Sequence, residues 1–134
     1  MIDIENDVFN AVATAVRDKY KATMYGEYID APKAFPTITI FQIDNSIVER
    51  MRTSERMENA VSVTYEANVY TNAVGTKKGD AKKIMADIDT VMTKLGFARK
   101  MLSPTANLAD ATIYRLTARY SGTVDRDLWI YQTI

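Results

Sequence analysis

Hydrophobic positions along this chain change their period several times, and each change marks an element. Over residues 3–20, Ile4, Val8, Val12 and Val16 recur every fourth position, with Phe9, Ala15 and Tyr20 widening the stripe, which predicts an amphipathic helix. Asp3 is the expected N-cap, and Glu5 and Asp7 stand in the first turn, where the helix dipole favours negative charge. Residues 21–36 carry tyrosines, a glycine and prolines without helical period, so an extended connection is predicted, with a short strand over 24–28. Residues 37–43, Thr-Ile-Thr-Ile-Phe-Gln-Ile, are β-branched and apolar on both sides over part of their length, the mark of an interior strand.

Residues 44–59 are long, polar and alternating in charge, and read as the extended tip of a hairpin leading into a strand over 60–71. In that strand Val61, Val63, Tyr65, Ala67 and Val69 alternate with Ser62, Thr64, Glu66, Asn68 and Tyr70. A turn-rich link precedes a second helix over 80–95, whose stripe is Ala81, Ile84, Met85, Ile88, Val91, Met92 and Leu95, with Gly96 as its stop. A short strand over 97–102, a loop over 103–107, a long strand over 107–125, a turn over 125–127 and a last strand over 128–133 complete the chain.

The long strand has two unlike sides. Thr112, Tyr114, Leu116, Ala118, Tyr120 and Val124 fall on one, and Ile113, Arg115, Thr117, Arg119, Ser121 and Thr123 on the other. The second side is rich in Thr and Arg, which fits either the solvated face of an antiparallel sheet or a face that meets a partner. The order is therefore α, β, β, α, β, β, β, and both helical stripes need cover. The expected fold is α+β: one domain over 1–134, a twisted and mainly antiparallel sheet, and both helices packed on its apolar face.

Composition narrows the chemistry. Lys plus Arg and Asp plus Glu number 17 each, so no global field draws the chain to nucleic acid or an anionic membrane. At 134 residues and 47% hydrophobic content, a single core without staples is expected, with no membrane span. The first residues lack a basic region followed by an apolar run, so a cytoplasmic site of synthesis is expected. There is no His and no Cys, which removes the usual neutral-pH base, the commonest metal ligand and the thiolate nucleophile.

What remains is carboxylates and arginines. Asp87 and Asp89 lie two apart on a helix and diverge by roughly 200°, so they read as solvated helix residues rather than a catalytic pair. Asp125 and Asp127 read as turn formers. The run from Gly75 to Gly79 before a helix hints at an anion loop but lacks P-loop spacing. Arg99, Lys100, Arg115 and Arg119, with Tyr70 beside them, could form a basic sheet surface of the kind that binds single-stranded nucleic acid; Glu66 would partly neutralise it. No catalytic, cofactor-binding or metal-binding set is expected.

Several segments carry a resemblance. Phe35-Pro36-Thr37-Ile38-Thr39-Ile40, Val63-x-Tyr65-Glu66-x-Asn68-Val69-Tyr70, the helix end Leu95-Gly96-Phe97-x-Arg99, the stretch from Asn107 to Arg115 and Arg119-Tyr120-x-Gly122-x-Val124-Asp125 follow one another in an order that resembles the tail terminator, or tail completion, minor capsid proteins of tailed phages and prophages of Gram-positive bacteria. The resemblance implies a structural virion protein at the head–tail junction, assembled in the host cytoplasm. Its partners would be its own copies in a ring, typically a hexamer, the tail tube protein and the head–tail connector, with DNA only as passing cargo. It names no site residues. Alongside it, the charged tip with Arg50, Arg52, Glu55 and Arg56 is the expected docking loop, and Glu66, Asn68, Arg115, Thr117 and Arg119 the expected polar face, at a lumen or a subunit contact. Two other readings stand beside it: a head-completion protein of the neck, and a small cytoplasmic ligand-binding or enzymatic domain using Arg115, Arg119 and Glu66.

Overall fold

The computed structural model describes residues 1–48, 59–106 and 110–131. Two helices and six strands follow in the order α1 (Glu5–Tyr20), β1 (Thr23–Tyr25), β2 (Thr37–Ile47), β3 (Ala60–Thr71), α2 (Lys77–Leu95), β4 (Ala98–Thr105), β5 (Tyr114–Asp125) and β6 (Ile130–Tyr131). They form one α+β unit. The sheet order is β1-β2-β3-β5-β4, with β6 also pairing β5. Only β1 and β2 run parallel; all other pairs are antiparallel.

Both helices lie on one face of the sheet, as the two stripes require. Val8, Val12 and Val16 of α1 and Ile84, Ile88 and Met92 of α2 join Ile38, Ile40, Val61, Val63, Ala67, Val69, Leu116, Ala118 and Val124 in one core. Burying each large apolar side chain there contributes about 1.5–3 kcal/mol relative to leaving it in water. Tyr65 and Phe97 meet edge to face, with ring centroids 5.4 Å apart.

Element ends depart from the periodicities for local reasons. The first helix opens at Glu5 with Ile4 as N-cap, while the Asp3 carboxylate accepts the Glu5 amide at 3.0 Å. The second opens at Lys77, three residues before the expected start at Asp80, so Lys77 to Gly79 belong to its first turn and not to an anion loop. It closes at Gly96, whose φ of 112° lies in the left-handed region. A Cβ there would stand 2.6 Å from the Ile130 carbonyl oxygen, so the same position also needs glycine for close approach.

Among the strands, β2 continues to Ile47 through an irregularity between Gln42 and Asp44, so its pairing with β3 takes in part of the expected tip. Arg50, Arg52, Glu55 and Arg56 of that tip lie outside the described residues. Strand β4 extends through Pro104, which an edge strand tolerates. Strand β5 begins only at Tyr114, because the Asp110 carboxylate accepts the Thr112 amide at 2.9 Å and its hydroxyl at 2.6 Å and turns the chain. Asp125 likewise accepts the amides of Asp127 and Trp129, a turn as expected, which delays the start of β6 to Ile130.

Candidate functional site: the outer face of the sheet

The face away from the helices is where sequence placed the polar set, and the register brings that set together. Glu66 stands opposite Arg119, Asn68 opposite Thr117 and Tyr70 opposite Arg115 on β3 and β5. On the far side of β3, Thr39 of β2 stands opposite Asn68, and on the far side of β5, Thr105 of β4 stands opposite Arg115.

Asn68 is the centre of this arrangement and is fully buried. Its amide nitrogen donates to Thr39 Oγ1 and to Glu66 Oε2, each at 3.1 Å. Its carbonyl oxygen accepts from Arg115 Nε at 2.9 Å and from Thr117 Oγ1 at 2.7 Å. Two donors and two lone pairs are thus all used. Thr117 and Thr105 share a further hydroxyl contact at 2.8 Å. Glu66 takes Arg119 at 3.1 Å on one carboxylate oxygen and Arg115 at 3.8 Å on the other.

A segment that sequence reads only as a connection closes this face. Residues 26–36 run from β1 back to β2, and on the way the Ile29 carbonyl accepts the Tyr70 hydroxyl at 2.9 Å and the Ala34 carbonyl accepts the Thr37 hydroxyl. The Arg115 guanidinium lies between the rings of Tyr28 and Tyr70, 5.5 and 5.7 Å from their centroids. Burial raises the Tyr70 hydroxyl above its ordinary range, although the Arg115 charge opposes that shift. Thr37, Thr39, Glu66, Asn68 and Thr117 on this face all end buried.

An open polar face is therefore corrected over much of its length. Four of its five expected residues, Glu66, Asn68, Arg115 and Thr117, face one another, and Arg115 keeps only 13% of its side chain exposed. Arg119 alone reaches outward, with 49% of its side chain exposed. Beyond it, towards Asp125, Ser62 is exposed and Thr64, Ser121 and Thr123 are half-buried, so that end of the face stays open. A basic strip for single-stranded nucleic acid is not assembled by these residues: Arg115 is enclosed, Tyr70 is buried, and Arg99 turns to the helix side to pair with Asp89 at 3.3 Å.

Asp87 and Asp89 are corrected too. They diverge as helix geometry demands, but each ends on a partner. Asp87 accepts from Lys19 Nζ at 2.7 Å and the Tyr20 hydroxyl at 2.6 Å, joining the two helices. Hydrogen bonds from Lys19 and Tyr20 hold its carboxyl below its ordinary value. Asp89 accepts the Tyr120 hydroxyl at 2.9 Å and so ties α2 to β5. Burial first, and that bond second, push the Tyr120 hydroxyl well up.

A separate cleft of about 250 Å³ opens between the end of α1, the start of α2 and Pro36, with Asp80 and Lys83 among its walls. Its carboxylate already accepts the Thr76 hydroxyl at 3.0 Å. Among the described residues no three His, Cys, Asp or Glu side chains come together in a way that could hold a metal ion. No helix of the described chain is long and apolar enough to cross a membrane. Compared with known proteins, the chain matches no family model and no curated protein.

Proposed function

We propose that this protein is a structural component of a phage virion: a ring that caps the head-proximal end of the tail tube, ends tube polymerisation and offers the head a joining surface. The observation that carries the reading is where polar and apolar groups remain free. The outer face spends its Glu, Asn and Arg groups on one another, so Glu66, Asn68 and Arg115 are already partnered within the chain. Val74, Tyr28 and Leu102 are exposed singly elsewhere, but one end of the sheet carries several exposed apolar side chains together. There Ile47 ends β2, and Leu128 and Trp129, the latter 67% exposed, form the turn after β5. Arg126 donates its amide to the Asn59 carbonyl, so that turn adjoins the base of the β2–β3 connection.

Such an end suits contact with another protein. The connection carrying Arg50, Arg52, Glu55 and Arg56 leaves from the same place, and charges of both signs there would select a complementary partner ring. The open strip of Ser62, Thr64, Arg119, Ser121 and Thr123 is suited to a hydrated lumen, where a few contacts to phosphate let DNA slide rather than stick. The order of motifs, from Phe35-Pro36 through Gly122-x-Val124-Asp125, supports the same family. Capping of this kind works by occupying a growing end, so it is stoichiometric.

The test is deletion of the gene in a producing phage. The expected outcome is DNA-filled heads unjoined to tails, together with tubes much longer than normal. Purified protein added to tube subunits should shorten the tubes with dose. Tails of normal length beside heads that leak DNA would overturn the reading and place the protein in head completion.

A further inference from the structure

We propose that copies of this chain join head to tail through opposite edges of the sheet, the acidic β2 edge of one copy against the basic β4 edge of the next. Both edges carry residues that no described strand pairs on the outer side. Strand β1 covers β2 only at Thr37 to Thr39, which leaves β2 from Ile40 to Ile47 without an outer neighbour strand. At the other side of the sheet β4 is terminal. The β2 edge is capped by the chain's own N-terminal residues instead of a strand: the Gln42 amide donates to the Glu5 carboxylate at 2.7 Å, where a neighbouring strand's carbonyl would stand, and the Asn45 side-chain amide donates to the Ile2 carbonyl at 3.0 Å. Exposed apolar side chains flank both edges, Ile43 and Ile47 on β2 and Leu102 on β4.

Charge separates the two edges although the chain as a whole is neutral. Beside β2 stand Asp44 and the start of α1 with Asp3, Glu5 and Asp7. Beside β4 stand Lys100 and, at the end of α2, Lys94, while Arg99 and Arg119 nearby are paired with Asp89 and Glu66 of the same chain. Asp3, Asp7, Asp44, Lys94, Arg99, Lys100 and Arg119 are all exposed. Like edges repel and unlike edges attract, so the arrangement disfavours a two-fold pairing of identical edges and favours a heterologous contact, which closes into a ring when its rotation allows. A strand added to β2 takes over the Gln42 amide and releases Glu5. Pro104 offers no amide, so the β4 edge has fewer donors beyond Ser103.

This deepens the ring reading and rests on it only in needing a head-to-tail contact. The chain has no cysteine, so Ile43→Cys and Leu102→Cys report on each edge separately. Oxidising a mixture of the two variants, with no tail tube present, should give about tenfold more 43–102 heterodimer than either variant alone gives homodimer, because apposed thiols meet at high effective concentration. Adding Asp7→Lys and Asp44→Lys to the first chain should cut that yield several-fold. Adding Lys94→Glu and Lys100→Glu to the second as well should restore it. Raising salt from about 0.05 M to about 1 M should lower the wild-type-charge yield, since screening shortens to roughly 3 Å.

All the substituted positions are exposed, and unchanged circular dichroism would verify that the variants fold. Homodimers at position 43 or 102 in excess of the heterodimer, or a heterodimer yield indifferent to both charge reversals, would overturn the edge contact. A positive cross-link in a protein that fails to cap tubes would remove the tail reading and leave the contact standing; normal capping without the cross-link would do the reverse.

Discussion

From Tyr65 to Tyr70 both faces of β3 are buried, but by different physics. On the helix side Val61, Val63, Tyr65, Ala67 and Val69 are excluded from water by α1 and α2, and any well-fitting apolar neighbour would do. On the other side Glu66 and Asn68 are held by Arg115, Arg119, Thr117 and Thr39, with the 26–36 segment covering Tyr70 and Arg115 beside them, and only specific partners will do. Apolar burial is additive and tolerant. A polar network is conditional: each group is stable there only while the others stay in place. The difference teaches that the helix face sets whether the chain folds, whereas the outer face sets which strand register and which path of residues 26–36 the fold accepts.

The largest break falls on the helix face. Ile88 is fully buried among both helices and the sheet, so Ile88→Asp places a carboxylate where nothing can pair it. A loss of about 4 kcal/mol or more is expected, a large share of the roughly 5–15 kcal/mol that holds an ordinary domain folded. The variant should be insoluble or lack a cooperative melt. A soluble protein with a normal melting temperature would show that α2 is not seated as described.

The sharper comparison sets Asn68→Ala against Val69→Ala, neighbours that point to opposite faces and are both fully buried. Removing the Val69 methyls should cost about 1.5–2.5 kcal/mol from lost burial. Removing the Asn68 amide strands Thr39, Thr117, Arg115 and a Glu66 oxygen together, and should cost about 2–4 kcal/mol despite the smaller apolar loss. Urea unfolding of the two variants decides the order. If Val69→Ala costs more, the outer face is not a cooperative unit.

The smallest effect belongs to the rim between the helices. Asp87 keeps a third of its side chain exposed and Lys19 more than half, so Asp87→Ala should cost only about 0.5–1 kcal/mol near neutral pH. The sign follows from the lowered carboxyl. Its stabilisation is present above the ordinary value of 3.8 and is lost as pH falls through the lower folded value. Thermal melts at about pH 7 should separate wild type from variant, and melts near pH 2 should bring them together. A gap that widens in acid would exclude the Lys19 and Tyr20 bonds as its source.

Much of this was legible along the chain. Repeats of three and four in Ile4 to Val16 and in Ala81 to Leu95, and alternation in Val61 to Val69 and Leu116 to Val124, mark both helices and the two central strands, because one side of a regular element shows its solvent preference in sequence. Element ends were less legible. Asp110, Asp125 and the Gln42/Asp44 irregularity act through single hydrogen bonds that no periodicity reports. One signal of the polar network was present: a register that pairs Glu66 with Arg119 also pairs Asn68 with Thr117 and Tyr70 with Arg115.

Sequence by itself determined that this chain is an α+β domain with two amphipathic helices over one sheet, and that its chemistry is built from carboxylates, arginines and tyrosines without His or Cys. Only the tertiary structure decided that the polar side of the sheet is mostly interior, that Asp87 and Asp89 are ties between elements, and that β1 and β4 are the terminal strands of the sheet path. Alternation states which side of a strand a residue occupies, a property of the strand alone. Whether that side meets water depends on a distant segment, here residues 26–36 with Tyr28 against Arg115, and no local pattern can state where that segment will lie.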